Sequence, residues 1–264
     1  MKRTVSAAWR FVDTGWNTGD RNMAYDEALA RSFLGEAMAE GIPTLRLFRW
    51  RPWAVSLGYN QNAADLDAAK CSQEGIDVVR RPTGGRAILH AQELTYSVTL
   101  PAGRKTIHQV YNDIGRALVR GLNLFGVDAA LQRSQPDFRS NYRQPSSIPC
   151  FTSSARYEIE WRGRKLVGSA QRRFSDGERE AILQHGSILC GPAHRRLADL
   201  LTVADPAVLD RLRRDLEEKT TDLSEILGRE IDLDALGECV RRGFESEWGV
   251  VFSTDHPQDV HAHA

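Results

Sequence analysis

From Trp9 to Leu189 strand-length apolar runs ended by glycine, proline or charge alternate with helical stretches, whereas beyond about Arg195 the apolar residues recur at helical spacing alone. That order calls for an α/β chain with a helical C-terminal part. Residues 9–13, 44–50, 54–57, 76–80, 87–89, 94–100 and 127–131 read as strands, and residues 181–183 and 186–189 as a further strand pair. A helix is expected after Asp20, whose carboxylate can cap it. Its apolar positions Met23, Ala24, Ala28, Leu29, Phe33 and Leu34 carry it to near Gly41. A short helix over 65–74 stops at Gly75, and Val110, Ile114, Leu118, Leu122 and Phe125 form the apolar stripe of a long one. Residues 197–201, 206–220 and 231–248 complete the helical part. Residues 1–200 are thus expected to form the main domain, 201–252 helical elements packed on it, and 253–264 a flexible tail.

Charge and cysteine content narrow the function classes. Thirty-five basic residues balance thirty-five acidic ones, so bulk charge points to neither a nucleic acid nor an anionic membrane as partner. No apolar run has the length of a membrane span, and the N-terminus lacks the apolar core of a signal peptide, which leads to the expectation of a cytoplasmic protein. Cys71, Cys150, Cys190 and Cys239 lie far apart, without the paired spacing of a zinc site or a disulfide framework.

Three constellations can carry chemistry. The first is the glycine turn Arg80-Arg81-Pro82-Thr83-Gly84-Gly85-Arg86, followed by His90. Gly84 and Gly85 allow close backbone approach to a bound group, and arginines at a strand end can pair with a carboxylate or phosphate. A plain tight turn with surface arginines satisfies the same pattern. His90, four residues after Arg86 and three before Glu93, is compatible with a pocket wall or with a structural role. The second is Cys150, delivered by the polar, proline-containing loop 134–149, together with Lys165 at the start of a hairpin's return strand. A thiol beside an ammonium is a nucleophile with a lowered pKa, while an inert buried cysteine and a solvated lysine are the alternative. The third is Gly168-Ser169-Ala170-Gln171, with Gln184-His185-Gly186-Ser187 further on, where small side chains leave room for a ligand chain or for close sheet packing.

Taken jointly, RRPTGGRAILH, ELTYSV, the loop-borne PCF, GRKLVGSAQRR and LQHGSIL resemble the lipoate–protein ligase/octanoyltransferase family, in its order, over residues 9–189. The cysteine ahead of the hairpin is similar to the branch that transfers octanoyl groups. The resemblance implies a biotin/lipoate ligase-like α/β (α+β) domain with a mixed, largely antiparallel sheet and packed helices. It implies an acyltransferase of lipoate biosynthesis that needs no cofactor. An octanoyl group would move from acyl carrier protein through a thioester on Cys150 to a lysine of a lipoyl domain, such as the glycine-cleavage H protein. Lys165 would lower the thiol pKa, with Arg81, Gly84, Gly85, His90, Gly168 and Ala170 binding substrate. An ATP-dependent lipoate ligase and an amidotransferase between lipoyl domains share the pattern. The chain departs from the family at Ala91, where an acidic residue is frequent, and at Arg86, where a third glycine is.

Overall fold

The computed structural model describes residues 8–35, 41–132 and 158–253. Cys150, loop 134–149 and the tail beyond Ser253 lie outside the described residues. Strands β1 (Ala8–Asn17), β2 (Thr44–Trp50), β6 (Glu93–Pro101), β7 (Ala130–Leu131), β8 (Ile159–Trp161), β9 (Arg164–Ser175), β10 (Glu180–Leu189) and β11 (Val251–Ser253) form one sheet in the order β11-β1-β2-β6-β10-β9-β8-β7. β1 runs parallel to β2 and β11, and every other pairing in this sheet is antiparallel. A second sheet holds β3 (Ala54–Leu57) between β4 (Asp77–Arg80) and β5 (Ile88–His90). Helices are α1 (Gly19–Arg31), α2 (Ala68–Gln73), α3 (Ile107–Leu124), α4 (Pro206–Lys219), α5 (Leu223–Leu227) and α6 (Leu233–Trp248), with a 3-10 helix at Pro192–Leu200. None of them is long and apolar enough to cross a membrane among the described residues. The expected mixed, largely antiparallel sheet with packed helices is what the chain builds.

The two-residue period of the central strands decides which helices go where. Leu45 and Leu47 of β2, Leu94, Tyr96 and Val98 of β6, and Ile182 and Ile188 of β10 meet α3 and α6 through Ile114, Leu118, Leu122, Leu236, Val240 and Phe244. Each fully buried leucine or isoleucine here contributes on the order of 1.5–3 kcal/mol. The α3–α6 crossing is backbone to backbone: a Cβ on Gly243 would lie 2.3 Å from the Ala117 carbonyl oxygen and 2.6 Å from the Gly121 nitrogen. Gly243→Ala is therefore expected to lower unfolding stability by about 1–3 kcal/mol through overpacking, measured by chemical denaturation. An unchanged midpoint would refute this close approach.

The opposite face carries α1 and the small sheet, and here the strands are polar yet buried. Arg46 is 1% exposed and donates to Asp26, Asn22 and Thr14.

Several expectations need correction. α1 ends at Arg31, before Gly41, and starts after Thr18; Asp20 lies within its first turn instead of capping it. The first backbone N–H is met from across the fold, Gly19 donating to Asp77 Oδ2 at 3.2 Å. Residues 181–189 are one continuous strand, since Gly186 sits in register opposite Tyr96 and Ser169 and does not break it. The segment at 197–201 belongs to the 3-10 helix and not to an α-helix. β1 extends past residue 13, the strand end expected from the sequence, to Asn17, with Gly15 at φ +65° and a register shift between Asp13 and Trp16 absorbing the irregularity.

Candidate active site

The cleft between the large sheet and the α1/small-sheet layer follows from which side chains β9, β10 and β6 turn toward it. Register places Gly168 opposite Ser187 and Ala170 opposite His185, with Thr95 and Ser97 next across on β6. Two positions without bulk on β9 thus face small polar groups, and a cleft of about 340 Å³, open solvent included, remains. Met23, Trp50 and Ile88 supply its apolar wall, and Arg81, His90 and Ser56 line it from the small sheet and its turn.

His90 sits at the centre of a buried relay. Glu93 Oε1 accepts from Thr95 Oγ1 (2.6 Å) and Ser187 Oγ (2.8 Å), so the 2.8 Å contact with His90 Nδ1 is a third donor to the same oxygen. That directs the Nδ1 proton toward the carboxylate and sets Nε2 in a hydrogen bond with Ser56 Oγ at 2.7 Å. The Trp50 indole stacks on the imidazole at 3.9 Å and 10°, and its Nε1–H donates to Thr95 Oγ1. The ring can neither tilt nor flip without breaking these contacts.

A second relay fixes His185. Its Nδ1 faces Asp26 Oδ2 at 3.1 Å and its Nε2 faces Thr83 Oγ1 at 2.6 Å. Burial opposes ionisation of Asp26, but the Arg46 guanidinium and hydrogen bonds from His185 and Ser97 outweigh it and hold the carboxyl below its usual range. Burial pushes the His185 pKa down against the pull of Asp26. The pair is therefore carboxylate and neutral imidazole, with Nδ1–H donating to Asp26 and Nε2 accepting from Thr83.

The glycine turn is held from inside. Arg81 Nε donates to the Gly84 carbonyl, Nη2 donates to the Gly84 and Arg86 carbonyls, and Nη1 donates to Ser56. These bonds fold the turn, a use that the arginine–anion reading of the sequence did not include. Gly85 requires glycine, at φ +97°; for Gly84, a Cβ would meet nothing within 4 Å. A further requirement lies at Gly58, where a Cβ would come 2.0 Å from the Gly85 carbonyl oxygen.

Lys165 lies at the hairpin and does not line the cleft. The hairpin turn, Arg162-Gly163, has φ of +50° and +77°, the type I′ geometry that matches strand twist. Lys165 is 4% exposed and donates to Glu158 Oε1 at 2.5 Å, while its carbonyl accepts from Thr221 N–H. A solvated lysine is thereby ruled out. The phenol of Tyr96 on β6 shares a hydrogen bond with Ser169 Oγ of β9 at 2.7 Å and accepts from Gln184 Nε2, and burial pushes that phenol up to about 12. Burial is also the main cause raising the Cys71, Cys190 and Cys239 thiols above their ordinary pKa.

The structure thus brings together Arg81, His90, Gly168 and Ala170 at one cleft, sets Gly84 and Gly85 on the exposed turn beside it, and keeps Lys165 at the neighbouring hairpin. Asp26, Trp50 and Glu158 were not singled out from the sequence. Spacing cannot reveal them, because each works through a partner more than five residues away.

A family model described as the lipoyl protein ligase A/B catalytic domain matches residues 18–245. A protein named Octanoyltransferase LipM from Kyrpidia tusciae is 39% identical over 91% of the chain and 87% of its own length. The protein of that name from Bacillus subtilis is 34% identical, over 90% and 85%. Among solved structures, a bipartite lipoate protein ligase from Thermoplasma acidophilum superposes with a TM-score of 0.74 at 23% identity, covering 94% of this chain and 86% of that one. A lipoate-protein ligase A bound with ATP gives 0.70 at 23% identity, over 94% and 88%.

Proposed function

Because the chain belongs to the lipoyl protein ligase A/B catalytic-domain family, we propose that it is a cytoplasmic protein octanoyltransferase of lipoate biosynthesis. It moves an octanoyl group from acyl carrier protein to a lysine of a lipoyl domain, such as the glycine-cleavage H protein. The observation that carries this reading is near-full-length similarity to proteins named octanoyltransferase. The cleft supports it, since Gly168 and Ala170 leave room for an apolar chain against Met23, Trp50 and Ile88.

The Cys150 thiolate attacks the carbonyl carbon of the carrier thioester. The C–S bond to the carrier breaks, the carrier departs as thiolate, and Cys150 holds the octanoyl group. A neutral acceptor lysine then attacks this thioester; the new C–N bond forms, one amine proton is lost, and Cys150 is released as thiolate. The first exchange is close to thermoneutral and the aminolysis is downhill, so no nucleotide is consumed. Lys165, held by Glu158, supplies the positive charge that favours the Cys150 thiolate. Arg81 and His90 bind substrate as parts of the fixed cleft wall, Gly168 and Ala170 leave space for the chain, and N–H groups of Gly84 and Gly85 meet the carbonyl oxygen as charge develops.

The test is transfer without ATP. Purified protein, octanoyl-loaded acyl carrier protein and a lipoyl domain are expected to give octanoylated lipoyl domain, read by mass spectrometry. A strict requirement for ATP and free acid would replace this reading with that of a ligase.

A further inference from the structure

At the solvent side of the glycine turn, two arginines are anchored to backbone and not to carboxylates. Arg80 Nη1 donates to the carbonyls of Gly58 (2.8 Å), Tyr59 (3.1 Å) and Gln61 (2.8 Å). Arg172 Nη1 donates to the Pro82 carbonyl at 3.0 Å, and its guanidinium lies over the Tyr59 ring at 4.3 Å. Among the described residues neither side chain forms an ion pair, in contrast to Arg116, Arg196, Arg213 and Arg241, each matched to an acid. One nitrogen of each guanidinium fixes its position. Nε and Nη2 keep their N–H groups for a partner, and Tyr59, 50% exposed, lies beneath one of them. Asp65, in the turn that follows, accepts from the Gln61 side-chain amide at 3.4 Å.

Arg172 follows Ala170 by two residues on β9, so it leaves the sheet on the face that lines the cleft. Pro82, to which it is tied, precedes Thr83, the partner of His185. The positive rim therefore stands at the cleft, on a chain whose net charge is zero.

The geometry points to Arg80, Arg172 and Tyr59 as the docking site for the donor: an acidic carrier protein that presents its acyl thioester on a phosphodiester-linked arm. Held guanidinium forks suit a phosphate or clustered carboxylates, and the attraction brings the thioester to the cleft. This rests on the octanoyltransferase reading for the identity of the donor, but docking is measured without chemistry.

The experiment titrates holo acyl carrier protein, bearing no acyl group, into the wild type, Arg80→Gln and Arg172→Gln. It then compares octanoyl loading from the loaded carrier and from octanoyl-pantetheine, which has the thioester without the phosphate. Each variant is expected to bind the carrier about five- to tenfold more weakly and to lose loading from it in proportion. Loading from octanoyl-pantetheine should stay within about twofold, which also reports an intact fold. Wild-type affinity should fall steeply as salt rises past the roughly 0.1 M where surface charges are screened over ~10 Å. No binding by the wild type, a flat salt response, equal losses with both donors, or weakened binding of the lipoyl domain in place of the carrier would each overturn the proposal. Carrier binding without octanoyl transfer from either donor would instead leave the docking site standing and remove the transferase reading.

Discussion

Cys150→Ala is expected to leave no octanoyl adduct on the protein and to lower transfer from carrier to lipoyl domain by about a thousandfold or more. Removing the nucleophile leaves only direct aminolysis of the carrier thioester, without the covalent step that divides the reaction in two. The other three thiols cannot take over. Cys71 and Cys190 are buried, Cys239 is partly so, and burial raises the pKa of each, which keeps them as thiols and withdraws the nucleophilic form. Cys150→Ser sharpens the result, because an alkoxide is far harder to form than a thiolate. It should accumulate an oxygen ester slowly, if at all, and stay well below wild type in turnover. Intact mass spectrometry after mixing with octanoyl carrier, followed by peptide mapping, reads both variants. Full transfer by Cys150→Ala, or an adduct mapped to Cys71, Cys190 or Cys239, would sink the covalent route through Cys150.

How much of this was legible before folding differs from residue to residue, for physical reasons. The long stripe from Val110 to Leu122 announced α3 because a helix repeats its buried face within the sequence. The glycine turn was legible because positive φ at Gly85 is a local demand that only glycine meets cheaply. His90 looked indifferent, since its meaning comes from Trp50, Ser56 and Ser187, which meet it only once β2, β3 and β10 are in place. Lys165 looked equally like a surface lysine until β8 brought Glu158 against it. Arg46 carried no signal: nothing in the run 44–50 marks it as buried, and it becomes so only because Asp26 and Asn22 on α1 close over it. The division into two sheets could not be read either, because β5 and β6 are separated by two residues and belong to different sheets.

That buried arginine gives the largest expected effect on stability. Asp26 is fully buried and receives Arg46 Nη1 at 2.7 Å, Ser97 Oγ at 2.7 Å and His185 Nδ1 at 3.1 Å. Asp26→Ala leaves a guanidinium uncompensated in the interior, which is expected to cost about 3–5 kcal/mol in unfolding free energy. Asp26→Asn should fall between that variant and wild type. Its amide oxygen still accepts from Arg46 and Ser97, and its NH2 can donate to His185 Nδ1 if the imidazole moves its proton to Nε2, but the negative charge is gone. The pH dependence has a definite sign. Because the folded carboxyl is held below the ordinary 3.8, its contribution is complete above that value and is lost as pH falls through the lower folded pKa. His185, depressed by burial, acts earlier: below about 6.5 the unfolded chain takes up a proton that the folded chain refuses, so stability declines from there downward. Denaturant titrations from pH 8 down to about pH 2 should therefore show wild type weakening in two stages, the second below the ordinary carboxylate value. The gap to Asp26→Ala should be widest near neutrality and should narrow once the carboxyl itself is titrated. A gap under about 1 kcal/mol at pH 7 would mean that Arg46 finds other compensation and that α1 is not held to the sheet by this pair.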